Sequence, residues 1–66
     1  MNLAEKSGEN LKRLIKENNY TQEEFALEIN RDPSTIRRWI KNGISNLYTI
    51  EYLASKLGVA CGKFFL

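Results

Sequence analysis

The sequence predicts an all-α fold, a compact bundle of about five short helices built around a central helix-turn-helix. Three observations predict it. Apolar residues recur three and four positions apart and almost never alternate. Thr21, Asp32 and Asn46 each stand just ahead of such a stripe, where a helix start needs a side-chain acceptor. The 66-residue length admits one domain and no more. A chain this short hides only about 60% of the surface its unfolded form exposes, so its core must be efficient.

Leu11, Leu14 and Ile15 form the first stripe, on a helix from about Gly8 to Asn18 with Ser7 as a candidate N-cap. Asn18 and Asn19 end it, because Asn tolerates the left-handed conformation that a helix exit often needs. Thr21-Gln22-Glu23-Glu24 is a capping box, with Tyr20 and Phe25 spaced as its hydrophobic staple. The second helix therefore starts at Gln22, buries Phe25, Ala26 and Ile29, and stops near Ile29, where Asn30 turns the chain. Asp32 caps the third helix and Pro33 occupies its first position, where a missing N–H costs nothing. Ile36, Trp39 and Ile40 are its apolar stripe, and Gly43 ends it. Asn46 caps a fourth helix carrying Leu47, Ile50, Leu53, Ala54 and Leu57, closed by Gly58. Val59 and Phe64-Phe65-Leu66 form either a last short helix or an extended tail, with Gly62 weighing against the helix.

Composition narrows the function. Hydrophobic residues at 42% and charged residues at 27% are the balance of a globular protein rather than a disordered one. With no histidine and a single cysteine, Cys61, the chain offers no Cys/His zinc site, no internal disulfide and no histidine acid–base chemistry. No metal or other cofactor is expected. No signal peptide or membrane-length apolar run is visible, so a cytoplasmic protein with no membrane partner is expected. The net charge of +2 is too small to indicate a partner, but its distribution is uneven. Residues 1–30 lean acidic, whereas residues 31–41 hold Arg31, Arg37, Arg38 and Lys41 against Asp32 alone. In isolation, a solvated helix face and a nucleic-acid contact account for that segment equally well.

Spacing favours the second. A helix of about eight residues, a turn through Asn30-Arg31-Asp32 and a helix of about nine make a helix-turn-helix over about 22–42. Ala26 is small where the two helices must cross closely. On a wheel at about 100° per residue, Ser34, Arg37, Arg38 and Lys41 lie opposite Ile36, Trp39 and Ile40. That face suits the DNA major groove, where arginine bonds bidentately to guanine and serine permits close approach. Lys41 and the capped start of the second helix suit phosphates, and the Gln22 amide can bridge a phosphate and the bases.

From about Leu11 to Val59, without a gap, the sequence resembles lambda-repressor-like (Xre-type, Cro-type) DNA-binding proteins. Leu11-Lys12-Arg13-Leu14 is similar to the family's first helix, and Thr21-Gln22-Glu23-Glu24-Phe25-Ala26 to its "S/T-Q-E-E-L-A". Ser34-Thr35-Ile36 and Leu53-Ala54-Ser55-Lys56-Leu57-Gly58-Val59 are similar to its "S-T-I" and "L-A-x-x-L-G-V". The resemblance implies a phosphate contact at Gln22, reading positions at Pro33, Ser34, Arg37 and Arg38, and Thr35 near the backbone. Pro33 lacks a side-chain donor, so that position is either silent or limited to methyl contact. The following turn, Gly43-Ile44-Ser45-Asn46, has no cation, so phosphate contact there rests on backbone amides, Ser45 and Asn46, with the Tyr48 hydroxyl nearby.

Two departures from the family stand out. Many relatives pair an arginine in the first helix with a glutamate late in the reading helix. The matching residues here are Ile15 and Ile40, both apolar, and they are expected to touch. Arg31 stands where a buried aliphatic residue is usual. Either its stem covers the core while its head reaches water, or the turn differs.

Other features have ordinary explanations. Trp39 belongs to the core stripe, Glu24 caps, Cys61 is a small hydrophobe, and of Tyr48 and Tyr52 one packs and one can meet DNA. No nucleophile–base pair is visible, so no enzyme is expected. So small a domain cannot bury all of Phe64, Phe65 and Leu66. One Phe is expected to close the core and the remainder to form a dimer interface within a tail over 59–66. The reading is one DNA-binding domain over 1–66, a homodimeric transcriptional repressor of phage or mobile-element type on a palindromic operator in double-stranded DNA. The alternative is an antitoxin-like interaction module whose apolar tail binds a protein partner.

Overall fold

A computed structural model describes residues 3–66, and these contain four α-helices and one closing 3₁₀ helix. The helices are α1 (Leu3–Glu17), α2 (Gln22–Glu28), α3 (Pro33–Asn42) and α4 (Leu47–Leu57), followed by the 3₁₀ turn Cys61–Phe65. The all-α expectation holds, and the helix-turn-helix is α2 and α3.

The predicted caps form. The Thr21 hydroxyl accepts from the Glu24 amide at 3.0 Å, and the Glu24 carboxylate accepts from the Thr21 amide at 2.8 Å. Tyr20 and Phe25 meet with ring centroids 5.5 Å apart, so the staple sets the entry angle of α2. Asp32 Oδ1 accepts from the Ser34 amide, and Asn46 Oδ1 accepts from the amides of Tyr48 and Thr49. Three helices end the same way. Asn19, Asn30 and Gly58 take positive φ, and the next amide in each case reaches back to a carbonyl five residues earlier: Tyr20 to Ile15, Arg31 to Ala26, Val59 to Ala54. These are Schellman motifs, which reverse the chain while satisfying helix-end carbonyls. Arg31 is exposed, and it is its backbone amide that the turn uses.

The first helix departs from the sequence expectation. It begins at Leu3 rather than Gly8, and Ser7 is buried within it instead of capping it. The Ser7 hydroxyl accepts from the Ile44 amide at 2.9 Å and donates to the Ala4 carbonyl, with the Ile44 carbonyl 3.3 Å away. Beside it, a Cβ on Gly8 would lie 2.6 Å from the Trp39 carbonyl oxygen and 2.7 Å from that of Ile40. Gly43, at φ +89°, is pressed as closely against Ala4. The extra N-terminal turn of α1 therefore packs backbone-to-backbone on the end of α3, and only small residues at 7, 8 and 43 allow it.

One core holds the helices together. Leu11, Leu14 and Ile15 of α1, Phe25 and Ala26 of α2 with Ile29 just past its end, Ile36 of α3 and Ile50, Leu53 and Leu57 of α4 are buried. Trp39 and Ile40 are half-buried against this cluster, so Trp39 faces inward as its wheel position predicts. Leu47 does not join it, being 64% exposed. It is the first residue of α4, beyond the reach of the packed face. The end of the chain resolves into the short-helix alternative, in 3₁₀ form. Phe64 is fully buried, Phe65 is half-buried and Leu66 is exposed. The buried Asn10 amide donates to the Phe64 carbonyl at 2.9 Å and pins the turn to α1.

Candidate nucleic-acid interface

The outer face of α3 is built by its own sequence. Ile36 at 0% exposure orients the helix, which leaves Ser34, Arg37, Arg38 and Lys41 exposed on the opposite side. Pro33 and Thr35 are half-buried at its start. The Ser34 amide is held by Asp32, and the Thr35 amide donates to the Asp32 carbonyl at 2.9 Å. Hydrogen bonds from Ser34, chiefly from its backbone amide, hold the Asp32 carboxyl below the usual carboxylate range, and the nearby Arg37 charge adds to this.

The two arginines differ. Arg37 Nη1 lies 3.7 Å from Glu23 Oε2, a loose contact between side chains that stay 57% and 68% exposed. Arg38 pairs with no acid among the described residues. Neither guanidinium is locked to the protein, since an exposed pair of this length contributes little.

Gln22 is half-buried at the start of α2, next in sequence to Glu23, the residue that faces Arg37. Gln22 also lines a hollow of about 180 Å³ with Lys12, Ile15, Lys16, Tyr20 and Thr21. Spacing along the chain does not mark Lys12 and Lys16. The tight Asn18–Asn19 turn is what folds the end of α1 back beside Gln22.

Beyond α3, Ser45, Asn46 and Tyr48 are exposed, Tyr48 at 83%. The expectation that backbone amides of this loop contact phosphate is corrected for Gly43 and Ile44 alone, two of its four residues. The Gly43 amide donates to the Trp39 carbonyl, and the Ile44 amide to Ser7. Both are consumed inside the protein because Ile44 is a buried anchor of the loop. Ser45 remains as a donor, as does the amide nitrogen of Asn46, whose side-chain oxygen caps α4. Tyr52 neither packs fully nor stands free, being 46% exposed with the Lys56 ammonium 5.7 Å from its ring centroid.

Of the residues assigned to a dimer interface, Phe64 is corrected. It closes the core and has no surface to offer. Phe65 lines a second hollow of about 270 Å³ with Ala4, Ile44, Ser45, Leu47 and Ile50. Leu66 is 61% exposed. No group of three potential metal ligands occurs among the described residues, and none of their helices is long and apolar enough to cross a membrane.

A stapled α2 followed by an α3 with an exposed cationic face is a helix-turn-helix arrangement. A family model described as Helix-turn-helix matches residues 11–59, most of the chain. The chain belongs to this family, the Xre-type, lambda-repressor-like helix-turn-helix proteins, which are DNA-binding regulators and not typically enzymes. No curated protein and no solved structure matches it.

Proposed function

We propose that the chain binds double-stranded DNA sequence-specifically through the major groove and regulates transcription as a small repressor of phage or mobile-element type. The observation that carries this reading is the exposed face of α3, where Ser34, Arg37, Arg38 and Lys41 point away from a buried Ile36. In this reading Arg37 and Arg38 bond to guanine edges, and Ser34 and Thr35 sit close to bases and backbone. Pro33 offers apolar contact at the start of the helix. Gln22, Lys41, Ser45, Asn46 and Tyr48 hold phosphates and fix the register.

The rest of the reading concerns assembly. Residues 1–66 act as one binding domain. Two copies associate through the apolar end of the tail, Phe65 and Leu66, and read half-sites about 34 Å apart. Repression is steric, since a bound dimer excludes polymerase. Selection of bound sites from random duplex DNA tests the binding, the dimer and the half-site spacing together. A palindromic consensus supports it, and failure to enrich any sequence overturns it.

The hollow lined by Leu47 and Phe65 favours one second reading, an antitoxin-like module that binds another protein there. Deletion of residues 65–66 separates the two. Loss of a protein partner with DNA binding by the monomer intact supports the second reading, whereas loss of cooperative DNA binding alone supports the first.

A further inference from the structure

We propose that Ser7 of α1 is a positioning residue for DNA binding: by holding Ile44 it sets the loop between α3 and α4 in place, so that Ser45 meets the phosphate backbone without first being ordered. This role rests on the DNA-binding reading and gives a part in it to a buried residue that touches no duplex. Ser7 is fully buried in the second turn of α1. A hydroxyl there must find partners, and it finds one 37 positions away. Its oxygen accepts from the Ile44 amide at 2.9 Å, and the Ile44 carbonyl lies 3.3 Å from it, so one side chain meets both polar groups of one loop residue. The hydroxyl proton goes to the Ala4 carbonyl, which leaves the oxygen lone pairs to the Ile44 amide. Packing alone asks only for a small residue at this position. The hydroxyl is what ties the loop to α1.

The next residue completes the hold. Gly8 lies against the Trp39 and Ile40 carbonyls at the end of α3. Two adjacent residues of one helix thus fix the end of the reading helix and the loop that follows it, each relative to the other. The rest of the loop is tied as well. The Gly43 amide donates to the Trp39 carbonyl at 2.7 Å, and Asn46 Oδ1 caps α4. Ser45, held between Ile44 and Asn46, is exposed and makes no hydrogen bond among the described residues. It is therefore a fixed residue with an unused donor. Phosphate contacts set the register of a protein on DNA. A loop already in place when the duplex arrives contributes its contact without the cost of ordering it. Arg37 and Arg38 read from one end of this braced unit, and Ser7 keeps the loop at the other end from drifting.

The test is a double-mutant cycle in binding rather than in stability. Ser7→Ala and Ser45→Ala are made singly and together. Affinity is measured for a selected duplex and for an unrelated duplex of equal length, at a temperature where melts show every variant folded. Leu57→Val removes core packing at the opposite end of α4 and controls for destabilisation alone, with affinity expected to be unchanged. Ser7→Ala is expected to weaken both duplexes about fivefold, the cost of ordering loop side chains on binding. The slope of log K against log salt is expected to stay the same, because no charge is lost. In the Ser45→Ala background the same substitution is expected to cost less than about twofold. Ser7→Cys, nearly the same size with a weak sulfur acceptor, is expected to fall between serine and alanine, and it replaces Ser7→Ala in the cycle if that variant does not fold. Additive losses, or a folded Ser7→Ala that binds as well as the unsubstituted chain, overturn the positioning role and leave the DNA-binding reading standing. If the unsubstituted chain binds neither duplex, both fall together.

Discussion

Arg37 on the outer face of α3 and Glu23 in the first turn of α2 approach to 3.7 Å across the open side of the helix-turn-helix. The pair joins the two elements that would border a bound duplex. In the proposed reading it would compete with DNA, because a guanidinium that reaches guanine must leave the carboxylate. Glu23→Gln removes the competitor and one repelling charge. Exposed pairs are worth about 0–1 kcal/mol. The variant is therefore expected to bind duplex DNA up to about fivefold more tightly, with stability changed by less than about 1 kcal/mol. Fluorescence anisotropy and thermal melts check both.

The reading face itself is tested by truncation. Arg37→Ala or Arg38→Ala is expected to cost about 1–3 kcal/mol of binding and to relax preference at one base position. Lys41→Ala is expected to weaken all sequences alike and to flatten the salt dependence by about 0.9. Equal losses of specificity at all three would contradict the division of roles.

The contact between α1 and the end of α3 is tested by stability. Ser7→Ala leaves the buried Ile44 amide without its acceptor, which costs about 1–3 kcal/mol. Gly8→Ala places a methyl group against two backbone carbonyls that cannot swing aside, and is expected to destabilise at least as much. Denaturant unfolding measures both. A neutral Gly8→Ala would mean that α1 does not sit against Trp39 and Ile40 as described.

Ile15 is buried and Ile40 is half-buried against the same cluster. A double-mutant cycle with alanine at each position is expected to give a coupling of about 0.5–1 kcal/mol. Additive effects would show that the two side chains do not meet.

The Asp32 cap carries a pH dependence of known sign. Its carboxyl is held below 3.8 in the folded chain, chiefly by hydrogen bonds from Ser34. Stability from this group is therefore present above the unfolded value and is lost as pH falls through the folded one. Asp32→Asn keeps an N-cap acceptor but does not titrate. The difference in stability between the natural chain and this variant is expected to be constant near neutrality and to shrink below about pH 3.8, the unperturbed value. An acid-unfolding series on both proteins measures it.

What was legible in the amino-acid order was local. The capping box at Thr21, the Asp32-Pro33 start, the Asn46 cap and the turns at Asn19, Asn30 and Gly58 each depend on hydrogen bonds spanning two to five residues. Such bonds are encoded by the few residues that make them. The inward turn of Ile36 and Trp39 followed from helical period alone, and with it the outward turn of Arg37 and Arg38.

Tertiary structure decided whatever depends on segments far apart in the chain. Ser7 reads locally as a helix cap, yet Ile44 claims its hydroxyl from 37 positions away. Phe64, Phe65 and Leu66 are alike as hydrophobes, and only the fold decides that Phe64 is buried, with its carbonyl held by Asn10, while Leu66 stays exposed. Lys12 and Lys16 sit in an acidic stretch of sequence, and only the fold sets them beside Gln22. The physical reason is common to all three. Short-range hydrogen bonds and periodicity carry no information about which surfaces will meet, and close packing distributes space among residues that are not neighbours in the chain.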